Sequence, residues 1–176
     1  MSKKLREQSS LLPSISEVSD TLEARNAPLP YVSSAKRPLF ESGRIYSITA
    51  VTHRRQPWFH DFFVGRLVID ELRLAEEQGL ANSLCWVVMP DHFHWLLQLR
   101  QCDLERLLQQ VKSRSAKAIN QRLQRSGKIW QSGYHDRTLR REEDIRDIAR
   151  YIVANPLRAG LVKQLANYPL WDAVFL

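Results

Sequence analysis

Two sets of residues have the types and spacing that chemistry needs. The first is His92-Phe93-His94. Side chains alternate along a β-strand, so His92 and His94 project from one face while Phe93 and Trp95 project from the other. Two neutral imidazoles side by side make a ready pair of ligands for a divalent ion, with a third ligand to come from elsewhere. The second set is Tyr151 and Asn155, four residues apart and so on one helix face, with Asp147 one turn earlier. A tyrosine hydroxyl with an ordinary pKa of about 10 is a weak nucleophile. A metal that polarises a target phosphate would compensate, and the Asn155 amide offers an oxygen to such an ion. Each set also has a plainer reading. Two polar strand residues look the same as a ligand pair, and Tyr151 and Asn155 also suit a packing aromatic and a helix end before Pro156. Tyr134 is a competing tyrosine, with His135 and Asp136 beside it as further groups able to approach an ion.

The elements that must position these residues are legible from periodicity. Arg44 to His53 is β-branched and alternating, with Ile45, Ser47, Thr49 and Val51 on one face and Tyr46, Ile48 and Ala50 on the other. Phe62 to Gln78 carries Phe62, Phe63, Leu67, Ile69, Leu72 and Ala75 at helical spacing, and Gly79 suits its C-terminal stop. Ser83 to Met89 and His92 to Leu99 read as strands joined at Pro90-Asp91, a hairpin. Asp103 suits the cap of a second helix through about Arg125, with Leu104, Leu107, Leu108, Val111, Ala118 and Ile119 inward. Lys128 to Leu139 reads as a last strand or extended segment. Glu142 to Ala154 forms a third helix with Ile145, Ile148, Ala149 and Ile152 as its apolar stripe, and Pro156 ends it. The order predicts an α+β fold: a ferredoxin-like βαββαβ antiparallel sheet with helices on one face, plus a C-terminal helix bearing Tyr151. Residues 1–42, rich in Ser, Pro and charges, read as a flexible polar tail ahead of a domain over residues 43–176.

With 176 residues the chain has room for one full core, and 44% hydrophobic content excludes wholesale disorder. No apolar run approaches the roughly 18 residues of a membrane span, and the first residues lack the apolar stretch of a secretory signal. Cys85 and Cys102 fit no C-x-x-C pattern, which points away from a disulfide scaffold and toward a reducing cytoplasm. The formal net charge is +7, and residues 100–163 hold 15 Lys/Arg against 7 Asp/Glu. A basic half on an otherwise near-neutral chain suits a polyanion, nucleic acid first, although a solvated basic surface has the same composition. Lys112, Arg114, Lys117, Arg122 and Arg125 line the outer face of the second helix, and with the later arginines Arg137, Arg140, Arg141, Arg146, Arg150 and Arg158 they form a candidate phosphate track. Trp58, Trp130 and Tyr134 are candidates for base stacking, worth about 1–3 kcal/mol per base, with core packing as the other use of each ring.

Four stretches then carry a resemblance: Tyr46 to Arg54 (YSITAVTHR), Val87 to Leu97 (VVMPDHFHWLL), Ile129 to Arg140 (IWQSGYHDRTLR) and Tyr151 to Val162 (YIVANPLRAGLV). In this order they resemble the single-tyrosine HUH transposases, and most closely the REP-associated tyrosine transposases of bacteria, over about Gly43 to Val162. The resemblance implies that His92 and His94 bind a magnesium or manganese ion, with Asn155 as an amide-type third ligand and Tyr151 as nucleophile. It implies metal-dependent cleavage and rejoining of single-stranded hairpin DNA, from palindromic repeat elements, through a 5′-phosphotyrosine and without ATP. It also implies a cytoplasmic, nucleoid-associated protein, with a homodimer as one arrangement among such relatives. The rival expectation is a domesticated, non-catalytic regulator that binds hairpin DNA or RNA.

Overall fold

The computed structural model describes residues 43–139 and 145–174. The expected tail over 1–42 and the candidate phosphate contacts Arg140 and Arg141 lie outside the described residues. In chain order the main elements are strand β1 (Ile45–Val51), helix α1 (Phe62–Glu77), strands β2 (Ala81–Met89) and β3 (His92–Leu99), and helix α2 (Leu104–Arg122). Strand β4 (His135–Thr138), helix α3 (Ile145–Val153), the short helix α4 (Asn155–Arg158) and strand β5 (Trp171–Ala173) follow. The strands form one antiparallel sheet in the order β4-β1-β3-β2-β5. The fold is therefore α+β and ferredoxin-like, with an added edge strand.

Alternation along the strands divides the sheet into two differently covered faces. Tyr46, Ile48 and Ala50 of β1, Trp86 and Val88 of β2, and Phe93, Trp95 and Leu97 of β3 pack under α1 and α2. Buried indoles need a polar partner. Trp95 Nε1 donates to Ser83 Oγ and Trp130 Nε1 to Ser115 Oγ, both at 3.1 Å. The opposite face, with Cys85, Val87, Met89 and Leu96, is covered by Ile148, Ala149, Ile152 and Val153 of α3. The first two helices thus share one face as the periodicity implied, and the tyrosine-bearing helix takes the other.

Several local expectations are corrected. Asp61 caps α1, its carboxylate accepting from the Phe63 and Val64 amides at 2.8 and 3.2 Å. Val64, Val68, Ile69, Leu72 and Ala75 face inward, while Phe62 and Phe63 in the first turn stay 41% and 61% exposed. On α2, Ser115 is buried where Ala118 was expected inward, and Asp103 sits at the N-cap position without a side-chain cap bond. The segment from Lys128 pairs as a strand over His135–Thr138, with Trp130 making an isolated bridge to Thr52. Helix α3 ends at Val153, ahead of Pro156 as the sequence implied, and Pro156 lies in the first turn of the separate helix α4, where its missing N–H costs nothing.

The C-terminal segment then straps the sheet. Val88 N donates to Leu170 O, Tyr168 Oη donates to Val88 O at 2.7 Å, and β5 pairs with β2. Leu170 fits because Gly65 of α1 has no side chain; a Cβ there would meet Leu170 Cδ1 at 2.6 Å.

Candidate active site

The sheet register sets the histidines. β3 lies between β1 and β2, pairing His92 with Val51 and Met89, and His94 with Thr49 and Val87. His92 and His94 share the face of Leu96, the face on which α3 packs. Their Nε2 atoms stand 3.2 Å apart, and each Nδ1 is held from behind. His92 Nδ1 bonds Asp91 Oδ1 at 2.6 Å, and His94 Nδ1 bonds Thr49 Oγ1 at 2.8 Å. Arg55 in turn pairs with Asp91 at 3.1 Å. Burial opposes the charge on Asp91, but the His92 hydrogen bond and the Arg55 ion pair outweigh it and hold the carboxyl below its usual range.

An ionised carboxylate only accepts, so His92 must donate from Nδ1 and, when neutral, keep its lone pair on Nε2. His94 is neutral through ordinary pH. Burial, then the charges of His92 and Arg158, push its pKa down to about 3. Two Nε2 atoms at 3.2 Å need a proton between them or a cation beside them. The Thr49 hydroxyl suits either case, since it donates or accepts and so permits either His94 tautomer. Imidazoles tethered through Nδ1 with converging Nε2 atoms are the arrangement of metal-bound histidines with their outer-sphere partners. The residues present therefore fit a divalent ion. Among the described residues no three His, Cys, Asp or Glu side chains gather as ligands, so a third protein ligand would be of another type.

Helix α3 positions the second set. Asn155 Nδ2 donates to the carbonyls of Ile152 and Tyr151 at 2.8 and 3.3 Å. With the nitrogen tied to the helix end, the amide oxygen is the group left for a ligand role. Tyr151 is half-buried, and Arg158 lays its guanidinium over the ring with Cζ 4.2 Å from the centroid. The same arginine is close enough for its charge to act on His94. Asp147 is exposed and pairs with Arg150 at 3.0 Å, so the row expected through Asp147 is not part of this grouping.

The other expected residues fall elsewhere. Through the β4–β1 register His135 lies opposite Thr49 and Arg137 opposite Ser47, so both share the histidine face; Asp136, opposite Ile48, turns to the other side. His135 is two strands from His94, about 10 Å at ordinary strand spacing. Helix α2 lies across the sheet from the histidines, so its cations and the imidazole pair are not brought together. Lys112 Nζ donates to the Gln131 and Gly133 carbonyls, and Arg114 pairs with Glu71 at 3.0 Å. These two cations have partners within the fold, unlike the expectation of a bare outer helix face. Lys117 and Arg122 are exposed; Arg122 lies over Phe63, and Arg125 lies over Trp58 while donating to Asn120. Trp130 is 7% exposed between Phe59 and Phe93, so no base can stack on it. Tyr134 is half-buried against the same core. Sequence reasoning missed Thr49 and Asp91, and gave Arg158 no role beyond general phosphate contact. The lone local signal was Asp91 standing next to His92.

Comparison with known proteins agrees with this architecture. The family model described as Transposase IS200 like matches residues 42–155. The chain belongs to that family, whose general activity is DNA processing. Within it, the similarity is to the REP-associated tyrosine transposases. The one from Escherichia coli K12 is 30% identical over 86 residues, 48% of this chain, and the match spans 49% of the relative's length. A Haemophilus influenzae protein of the same description is 25% identical over 146 residues, covering 74% of this chain and 80% of its own. A solved structure of a REP-associated tyrosine transposase bound to a REP hairpin superposes with a TM-score of 0.64 at 21% identity, covering 80% of this chain and 82% of that one. That likeness is one of fold. No helix among the described residues is long and apolar enough to cross a membrane.

Proposed function

We propose that the protein cleaves and rejoins single-stranded hairpin DNA by transesterification, with Tyr151 as nucleophile and His92, His94 and Asn155 as ligands of a magnesium or manganese ion. The observation that carries the reading is the tethered imidazole pair on the sheet face that receives the tyrosine helix. The bound ion would neutralise charge on the non-bridging oxygens of the scissile phosphate. Imidazole favours manganese over the harder magnesium, which prefers oxygen.

The chain's own residues do the rest. Tyr151 loses its phenolic proton to water, and its oxygen forms a bond to phosphorus. The bond from phosphorus to the 3′-oxygen breaks, and that oxygen takes a proton from water. One phosphodiester replaces another, leaving a 5′-phosphotyrosine and a free 3′-hydroxyl, so attack by a 3′-hydroxyl reverses the step without ATP. Helix α3 is seated on its own chain's sheet, so the reading needs no second copy. DNA hairpins are the favoured partner because a solved family relative is described as bound to one. Exposed Lys117 and Arg122, with Arg137 on the histidine face, supply cations for phosphates and predict binding that weakens steeply with salt.

Labelled hairpin DNA incubated with manganese and run on a denaturing gel tests the reading. A covalent band is expected from the wild type, and its loss is expected in Tyr151→Phe, in His92→Ala and on chelation. A band that survives Tyr151→Phe moves the nucleophile, with Tyr134 next. Tight hairpin binding without a band under any divalent ion supports the non-catalytic regulator instead.

A further inference from the structure

We propose that Arg158 docks the scissile phosphodiester against Tyr151, acting as a catalytic residue that grips the non-bridging oxygens while holding the nucleophile's ring. The inference rests on the functional reading above and adds a residue to that site. Tyr151, Asn155 and Arg158 fall at i, i+4 and i+7, the spacing of one helix face over two turns. Tyr151 belongs to α3 and Arg158 to the separate short helix α4, whose first turn holds Pro156, and the turn between them brings Arg158 back over Tyr151. The guanidinium carbon then stands 4.2 Å from the Tyr151 ring centroid, a cation–π contact.

A guanidinium stacks through its flat face and grips phosphate through its edge, so one side chain can do both. Arg158 is exposed, so a strand lying on the histidine face can reach it. In the transfer step charge gathers on the phosphate oxygens, and an arginine placed there is worth more in the transition state than in the ground state.

The test measures adduct formation and binding separately. The probe is a hairpin oligonucleotide with a randomised single-stranded flank, captured covalently under saturating protein and manganese. Arg158→Ala is expected to slow adduct formation about 100-fold or more, with hairpin affinity changed by less than about threefold. Arg158→Lys should recover only part of the rate, because an ammonium lacks the planar fork. Methylguanidinium in the buffer should partly rescue Arg158→Ala, which a purely structural role would not allow. An alanine variant within about threefold of the wild-type rate overturns the proposal, as does a loss that methylguanidinium leaves untouched. Those failures are separate from failure of the underlying reading. If the wild type forms no adduct under any divalent ion, the reading falls and the role of Arg158 falls with it.

Discussion

On the face covered by α1 and α2, the strands present Ile48, Trp86, Val88, Phe93, Trp95 and Leu97, and the indoles of Trp95 and Trp130 are answered by serine hydroxyls. On the opposite face, the same β3 strand presents His92 and His94, with their Nδ1 atoms tethered and their Nε2 atoms turned toward each other. One strand therefore builds the main core through Phe93, Trp95 and Leu97 and sets the paired imidazoles of His92 and His94 on the other face. A close-packed interior tolerates neither paired imidazoles nor an ion, whereas the second face has a smaller apolar cluster under a single helix. The pleat lets both demands sit on adjacent residues.

Adjacent substitutions on β3 should break this division most sharply. Phe93 is fully buried between the layers, so Phe93→Ala should destabilise the fold by about 3–5 kcal/mol, read as a lower urea midpoint. His94→Ala, one residue on, should cost about 1 kcal/mol, the scale of its hydrogen bond to Thr49, yet remove covalent attachment to DNA. A loss of stability at His94 as large as that at Phe93 would place this imidazole in the core and end the comparison.

The tethers should show a smaller, more specific effect. Asp91→Asn keeps the shape but removes the charge that fixes the His92 tautomer. Manganese affinity, followed by titration calorimetry, is expected to fall about 10- to 100-fold with little change in melting temperature. Unchanged affinity would mean that Asp91 serves the β2–β3 turn alone.

How much of this was legible beforehand depended on the range of the interaction involved. The β2–β3 hairpin and the shared face of His92 and His94 follow from alternation and the Pro90-Asp91 turn, both local. Thr49 behind His94 is 45 residues distant and becomes its partner only through strand register. The cations of α2 looked alike in sequence, yet Lys112 and Arg114 find carbonyls and a carboxylate on other elements. Phe62 and Phe63 fit an inward stripe by spacing, but they stand in the first turn of α1 and stay exposed, which periodicity alone does not tell. Pro156 does follow the end of α3, and Arg158 meets Tyr151 from the next short helix, a contact that no spacing within α3 announces. Strand β5 has three residues, too few for any period to show.

Cys85 offers a direct measure of how firmly the thinner face is covered. It is buried beneath α3, with Sγ 4.0 Å from the Ala149 carbonyl, and burial pushes its thiol pKa up to about 12. Thiol reagents attack the thiolate, so Cys85 should stay silent while α3 is seated and react only when the helix lifts. A Cys102→Ser background isolates the signal. Ile152→Ala, which trims the seat of α3, should accelerate labelling of Cys85 while the main core keeps its melting temperature to within a few degrees. Val68→Ala, on the other face, should lower global stability and change labelling only through that loss. Equal acceleration by both, at matched stability, would mean that the sheet opens as one cooperative unit. Faster labelling from Ile152→Ala alone would mean that the tyrosine helix has its own, lower threshold for leaving the site.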